Sequence, residues 1–218
     1  MSSGRPSLAA LIALPIALCL VETAATAGPA VDWRIGPVVR GENSSRGMPL
    51  HPEAWKEGWR FTFPGPTRED GHVHYVTREA EPLNHARELV VRYRIHAAPG
   101  TRFAPQERPG KPATVSLYLQ RSGDDWTAEG DYEFYRWFAP AETVRQLEAG
   151  LFEVRVALDD PRWISVLGKP AEDHPDAFDS ALREADRLGL LFGSAGARGH
   201  GVYTTGPARF TLLEFSVR

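Results

Sequence analysis

Short stretches in which apolar and polar residues alternate recur along most of this chain. One example is the stretch 88–96, in which every second residue is apolar: Leu89, Val91, Tyr93 and Ile95. Successive side chains of a β-strand point to opposite faces of its sheet, so this period of two predicts a strand with one buried face. A chain dominated by this pattern buries its apolar surface by packing one sheet against another.

The same alternation predicts strands elsewhere in the chain, at Trp59–Phe63, His72–Thr77, Val115–Gln120, Tyr132–Phe138, Phe152–Leu158 and Ala208–Arg218. In the last of these the apolar set changes face near Leu212 and Leu213, which predicts either a β-bulge or a strand buried on both faces. Eight or nine strands separated by Gly- and Pro-containing turns predict a mainly β protein, an antiparallel β-sandwich or jelly roll.

One segment, His174–Leu188, has helical spacing instead, with an apolar stripe that includes Phe178 and Leu182. Asp176 is a suitable N-cap residue, and Gly189 stands where a glycine commonly ends a helix. We therefore expect one short helix near the C-terminus. A weaker helical pattern covers 141–149.

The first 27 residues resemble an export signal. Arg5 precedes a long apolar run, and the small residues Ala25 and Ala27 suit cleavage before Gly28. We expect a periplasmic or secreted protein with a signal peptide at 1–27, an irregular N-terminal segment at 28–57 and a β-sandwich domain at 58–218. Cys19 is the only cysteine, so the mature chain has no disulfide; lipidation at Cys19 is a less favoured alternative because Leu18 precedes it.

The charge of the chain limits its partners. The formal net charge is −3, with acidic and basic residues interspersed and no basic block. This pattern does not favour a nucleic-acid partner. No apolar stretch after residue 27 approaches the roughly 20 residues of a transmembrane helix, so the mature chain is expected to have no transmembrane segment.

The C-terminal segments "RLGLLFG" and "GPARFTLLEFSV", separated by a glycine-rich turn and preceded by the helix, resemble the end of galactose-binding-like jelly rolls. Many carbohydrate-binding modules have this fold. The resemblance implies carbohydrate binding on a concave sheet face or at the loops, sometimes with a structural calcium. The family also includes members without a sugar ligand.

The aromatic stretch Tyr132–Phe138 is the main candidate for a ligand site. Aromatic rings pack on the C–H faces of sugars, and charged side chains bind the hydroxyls. The candidate ligand-binding residues on or near this stretch are Glu133, Tyr135 and Trp137, extended by Arg92 and Tyr118 from other strands. The alternative is a strand buried on both faces.

The stretch "GSAGARGHG", at 193–201, contains four glycines and His200. A phosphate-binding loop would lead into a helix, whereas strand residues follow here, so the pattern indicates a turn. We expect His200 and Tyr203 at the edge of that turn to reach a ligand held by the sheet or to face water.

Two kinds of metal site are worth testing. His72 and His74 would point the same way on a strand and, with Glu79, partly match the metal motif of cupins; otherwise they are solvent-facing histidines. The pairs Asp124-Asp125 and Asp159-Asp160 could supply oxygen ligands to calcium, although aspartates are also common turn residues.

These observations favour an exported, non-catalytic protein that binds a carbohydrate or cell-envelope glycan. One alternative is an enzyme, either cupin-like and metal-dependent or carbohydrate-active. Asp131, Glu133 and Glu153 are available carboxylates, but their spacing does not show that two of them face one bond. A second alternative is a structural or assembly protein of the envelope that binds another protein.

Overall fold

The computed structural model describes Met1 and residues 26–56, 58–67 and 71–218. Nearly all of the predicted signal peptide therefore lies outside the described residues. The strands are β1 (Trp33–Gly36), β2 (Val38–Val39), β3 (Glu42–Asn43), β4 (Glu53–Trp55), β5 (Gly58–Thr62), β6 (Tyr75–Glu79), β7 (Glu88–Ala97), β8 (Phe103–Pro105), β9 (Thr114–Arg121), β10 (Arg136–Phe138), β11 (Arg145–Gln146), β12 (Gly150–Ala157), β13 (Ile164–Ser165), β14 (Ala185–Gly193), β15 (Val202–Thr204) and β16 (Ala208–Val217). The α-helix is α1 (Pro175–Arg183), and short 3-10 helices cover Ala30–Asp32, Gly130–Phe134 and Ala141–Thr143.

Two antiparallel sheets contain most of these strands. The seven-stranded sheet has the order β1-β6-β14-β9-β10-β13, with β11 also paired to β9. The five-stranded sheet has the order β12-β7-β16-β5-β4. The predicted mainly β fold, a sandwich with one short helix near the C-terminus, is confirmed.

Aromatic side chains fill the space between the two sheets. Trp59, Phe61 and Phe63, which the alternation places on one face of β5 and its extension, are all buried. Phe61 stacks on Phe210 of the neighbouring strand with 5.3 Å between ring centroids. Burial of each large apolar side chain contributes about 1.5–3 kcal/mol, so this face strongly specifies the register of β5.

Strand β16 contains the predicted bulge. Its pairing with β7 shifts register between Leu212 and Glu214. The extra residue changes the alternation, so that Leu212 and Phe215 both face the core although they are three positions apart.

The segment 28–57 is more regular than predicted. It contributes β1 to the edge of the seven-stranded sheet and β4 to the edge of the five-stranded sheet. The Trp33 side chain is buried, and its indole N–H donates to the carbonyl oxygen of Ala27 at 2.8 Å. Ala27 is itself buried, so cleavage before Gly28 would remove a residue that packs against the core.

The sequence pattern predicted one continuous strand at 132–138, and this prediction is wrong. A 3-10 helix occupies Gly130–Phe134, and only Arg136–Phe138 forms a strand, β10. Similarly, the weak helical pattern at 141–149 corresponds to a 3-10 turn followed by β11.

The helix is shorter than its apolar stripe predicts. It covers Pro175–Arg183 with His174, not Asp176, at its N-cap, and the chain re-enters a strand at Ala185. Gly189 lies within β14 and does not end the helix. A Cβ atom at Gly189 would be 2.2 Å from the carbonyl oxygen of Val76, so the close approach of β6 requires glycine at this position.

In the described ranges, no helix is both long enough and apolar enough to cross a membrane.

Candidate functional site

The outer face of the seven-stranded sheet has a depression near its centre. Arg34, Thr77, Gly189, Tyr118 and Phe138 are lateral neighbours on five successive strands, from β1 to β10. Directly paired residues of an antiparallel sheet project to the same face. Because Gly189 has no side chain, this row of side chains has a gap between Thr77 and Tyr118, and the gap forms the depression.

A small apolar cluster covers the sheet beside this depression. Its buried members are Tyr75, Tyr118, Phe138 and Leu191, and Trp126 packs against them. The rings of Tyr75 and Trp126 meet edge to face, with 5.7 Å between centroids. Trp126 belongs to the loop that follows β9, so this loop lies over the outer face of the sheet.

The loop holds Trp126 in an unusual backbone conformation. Trp126 has a φ of 69° and Ala128 a φ of 60°, both in the left-handed region that favours glycine. Each such residue costs about 1–3 kcal/mol and persists only where the surroundings enforce it; such residues concentrate at functional sites. Here the Trp126 backbone N–H donates to Asp124 Oδ1 at 3.1 Å, and the Thr127 N–H donates to Asp125 Oδ1 at 2.9 Å.

A buried polar network ties the loop to the sheet. Asp124 Oδ2 lies 3.1 Å from Arg136 Nε, and the two side chains are 0% and 7% exposed. Gln120 Nε2 donates to the same carboxylate at 2.9 Å, and the Tyr118 hydroxyl donates to Gln120 Oε1 at 2.8 Å. The Arg136 guanidinium carbon is 5.0 Å from the ring centroid of Trp126, which it helps to orient.

Burial also determines the protonation of this network. Burial raises the pKa of Tyr75 to about 12, and it raises the pKa of Tyr118 well above its ordinary value. Both phenols therefore remain protonated at neutral pH. Burial raises the pKa of Asp124 as well, and the adjacent Arg136 guanidinium opposes that rise.

Together these groups form a cleft of about 100 Å³, here called the Trp126 cleft. The residues with functional side chains that line it are Arg34, Tyr75, Thr77, Gln120, Trp126 and Arg187. Its wall is aromatic, its floor carries a hydroxyl and an amide, and two guanidinium groups stand at its side. Such a surface can stack on a flat apolar face and hydrogen-bond to several hydroxyl or carboxylate oxygens.

Two predicted ligand residues are buried. Tyr118 is a buried member of the apolar cluster, and its hydroxyl donates to Gln120. Trp137 points into the core with 0% exposure, packs on Phe178 of α1 at 4.8 Å and donates its indole N–H to the Phe134 carbonyl. Trp137 is therefore a core residue and does not contact a ligand on the sheet surface.

Arg92 lies on the other side of the sandwich. It projects from β7 on the outer face of the five-stranded sheet, 3.8 Å from a carboxylate oxygen of Glu153 and 3.8 Å from one of Glu214. The predicted joint surface with Tyr118, Tyr135 and Trp137 does not form, because β7 and β9 belong to different sheets.

Glu133 and Tyr135 are half-buried beside β10, and neighbouring cations engage both. Lys169 Nζ is 2.6 Å from Glu133 Oε1, and the Arg121 guanidinium carbon is 4.7 Å from the Tyr135 ring. Neither residue lines the Trp126 cleft. Their role in ligand binding stays a prediction.

His72, His74 and Tyr203 lie together at one end of the sandwich. The ring of His72 is 5.5 Å from that of Tyr203 and 6.3 Å from that of His74. His74 Nδ1 donates to the Gly199 carbonyl at 3.0 Å, while the exposed His200 pairs with Glu107 at 2.5 Å.

The predicted metal set of His72, His74 and Glu79 is not assembled. Glu79 is the last residue of β6, whereas both histidines precede the first residue of that strand. Strand residues rise about 3.3 Å each, which carries Glu79 well beyond the reach of a shared ion. Across the described ranges, no group of three His, Cys, Asp or Glu side chains is placed to hold a metal ion.

The aspartate pairs considered for calcium act within turns instead. Asp125 accepts hydrogen bonds from Thr127, and Asp160 accepts from the backbone and guanidinium of Arg162. These contacts, with Arg162 the leading one, lower the pKa of Asp160. Asp159 is exposed at the same turn.

The sequence pattern missed all six of the lining residues of the Trp126 cleft as candidates: Arg34, Tyr75, Thr77, Gln120, Trp126 and Arg187. The one local signal was a tryptophan directly after two aspartates in the polar stretch "GDDWT".

Comparisons of the sequence and the structure with known proteins do not assign this chain to a family. The sequence matches no protein-family model, and no curated protein matches it. One solved structure that it resembles is a xylan-binding module, CBM15, with a TM-score of 0.39 and 12% sequence identity over 84% of this chain and 92% of that chain. This likeness is weak, and neither the fold nor the cleft described above rests on it.

Proposed function

We propose that this protein is an exported, non-catalytic carbohydrate-binding protein and that the Trp126 cleft is its binding site. The lining of the cleft carries the proposal, because the Trp126 and Tyr75 rings lie beside an amide and two guanidinium groups on the outer face of the seven-stranded sheet. Sugars combine apolar C–H faces with closely spaced hydroxyls, and this lining complements both.

The size of the cleft supports contact with part of a chain. Sites that enclose a whole small molecule measure roughly 300–1,000 Å³. The Trp126 cleft, at about 100 Å³, instead suits one sugar unit of a glycan that continues across the surface.

The chemistry of the lining favours binding over cleavage. Glycoside hydrolysis ordinarily uses two carboxylic groups on either side of the scissile bond. Among the described residues that line the cleft there is no aspartate or glutamate. The backbone conformation and hydrogen bonds of the loop fix the Trp126 ring in position before a ligand binds. This pre-organisation reduces the entropic cost of binding.

The experiment is affinity electrophoresis against a panel of soluble neutral polysaccharides, followed by titration calorimetry with any neutral glycan that retards the protein. Trp126→Ala should weaken binding by about 30-fold, the loss of about 2 kcal/mol typical of one dominant ring. Trp55→Ala is the matched control, because Trp55 is an exposed tryptophan on the edge of the other sheet. No retardation by any glycan, or equal affinity of the Trp126→Ala and wild-type proteins, would refute the proposal.

Export is tested separately. The proposal expects the protein in the periplasm or culture medium, without residues of the apolar run 8–21. A cytoplasmic protein that retains those residues would argue against this part of the proposal and leave the binding site unaffected.

A further inference from the structure

The outer face of the five-stranded sheet carries a second concave surface, here called the basic groove. It is open and shallow, encloses about 670 Å³ and crosses β5, β16, β7 and β12 near the start of β12. The side chains that define its chemistry are Thr62, Arg94, His96, Leu151 and Arg209. It lies on the opposite side of the sandwich from the Trp126 cleft.

The basic side chains of this groove are direct neighbours. Arg209 of β16 pairs laterally with His96 of β7, and Arg94 lies two residues before His96 on the same face. The Arg94 and Arg209 guanidinium groups are therefore on the same face of adjacent strands, two positions apart in register, where like charges repel each other. Within the described part of the chain, neither Arg94 nor Arg209 forms a salt bridge, and the nearby Glu53 is held by Arg60 at 2.6 Å.

The other end of the same sheet face is organised differently. Arg155 lies 2.8 Å from Glu153, Arg218 lies 2.8 Å from Glu214, and Arg92 lies 3.8 Å from each of these glutamates. Arginines are thus paired with glutamates at one end of the face, whereas Arg94 and Arg209 at the other end form no salt bridge with any residue that the structure describes. Glu53, which Arg60 binds, is the carboxylate that interacts with Arg209 at longer range. In a chain whose net charge is −3, an end of the sheet face with two arginines outside ion pairs has the charge expected of a site for an anionic partner.

We propose that the basic groove is a second binding site, which holds the carboxylate groups of an acidic polysaccharide. Guanidinium groups bind carboxylates through paired hydrogen bonds, and two arginines on adjacent strands can bind successive acidic sugars. The groove crosses four strands, roughly 14 Å at about 4.8 Å between strands, which exceeds the size of a single small anion.

Two features favour a polysaccharide over a nucleic acid. Single-stranded nucleic acids are held largely by stacking of bases on aromatic rings, and the described lining of the groove contains no phenylalanine, tyrosine or tryptophan. Leu151, which is 54% exposed beside Arg94, offers instead an apolar contact to the face of a sugar ring.

The test compares polygalacturonate with the same polymer after full methyl esterification, which removes its negative charges and preserves its backbone. Calorimetry should show binding to the free acid only, with affinity that falls as salt is raised from about 0.05 M to about 0.5 M. Arg94→Gln and Arg209→Gln should each weaken this binding about tenfold, and both are exposed positions where folding is not at risk.

Arg155→Gln is the matched control on the same sheet face, since Arg155 is exposed and already paired with Glu153. It should change affinity by less than about twofold. Any of four results would overturn the proposal. These are equal affinity for the esterified polymer and the free acid, equal losses of affinity in Arg155→Gln and Arg94→Gln, a preference for single-stranded DNA, and a failure to bind polygalacturonate. Trp126→Ala should retain this binding, which keeps the two sites and their failures distinguishable.

Discussion

Replacement of Asp124 by asparagine tests the claim that a buried ion pair supports the Trp126 loop. Asp124→Asn preserves size and retains an oxygen that can accept the Trp126 backbone N–H. It removes the charge that compensates Arg136, whose side chain is only 7% exposed and whose Nε lies 3.1 Å from the Asp124 carboxylate. Loss of one partner from a buried ion pair typically costs about 3–5 kcal/mol.

The hydrogen-bond network allows no simple rearrangement. The amide group introduced by Asp124→Asn would meet Gln120 Nε2, which donates to this position at 2.9 Å in the wild-type protein. If the Gln120 amide turned over to supply its oxygen, the Tyr118 hydroxyl would lose the acceptor that it now has at 2.8 Å. At least one buried polar group would therefore remain without a partner, so relaxation cannot recover most of the cost.

The assay is urea denaturation monitored by tryptophan fluorescence and circular dichroism, together with thermal unfolding. A loss of about 3–5 kcal/mol corresponds to a fall in Tm of about 6–20 °C for a domain of this size. The double variant with Arg136→Met should recover a large part of the loss, because it removes the unpaired buried charge. A change in unfolding free energy below about 1 kcal/mol in Asp124→Asn would refute the reasoning.

Three further predictions concern the stability of the fold. Gly189→Ala should destabilise the protein by about 1–3 kcal/mol or more, because its Cβ would be 2.2 Å from the Val76 carbonyl oxygen; an unchanged urea midpoint would contradict this. Burial lowers the pKa of His72 and His74 in the folded protein. As the pH decreases through about 6.5, these histidines become protonated in the unfolded chain before they do so in the folded protein, so the free energy of unfolding should fall. Urea midpoints measured between about pH 7.5 and pH 5 should show this fall, and replacement of both histidines by glutamine should reduce it. Trp137→Ala should lower the unfolding free energy by about 3–5 kcal/mol in the same assay, because it removes a fully buried ring. Glycan affinity should be unchanged at a temperature where the variant is folded. A loss of affinity without a loss of stability would indicate that Trp137 contacts the ligand.

The alternation of apolar residues was sufficient to predict the class of fold. In 88–96 and 59–63 the residues at every second position are buried, because a strand places them on one face whatever its partners are. The shift near Leu212 was visible for the same reason. Boundaries were less accurate: the apolar stripe 178–188 continued beyond the helix, because Ala185 and Leu188 are buried equally well by strand β14.

The candidate site depended on tertiary structure. The local pattern indicates which residues share a face but not which face another segment covers, so it left open whether Trp137 is exposed or buried, and only the structure places that ring in the core. The Trp126 cleft draws Arg34, Thr77, Gln120 and Arg187 from four strands that are distant in sequence and neighbours only in the order of the sheet. Short-range spacing determined the strands of this protein, and only the order and packing of those strands decided which side chains meet, because contacts across a sheet are long-range pairings.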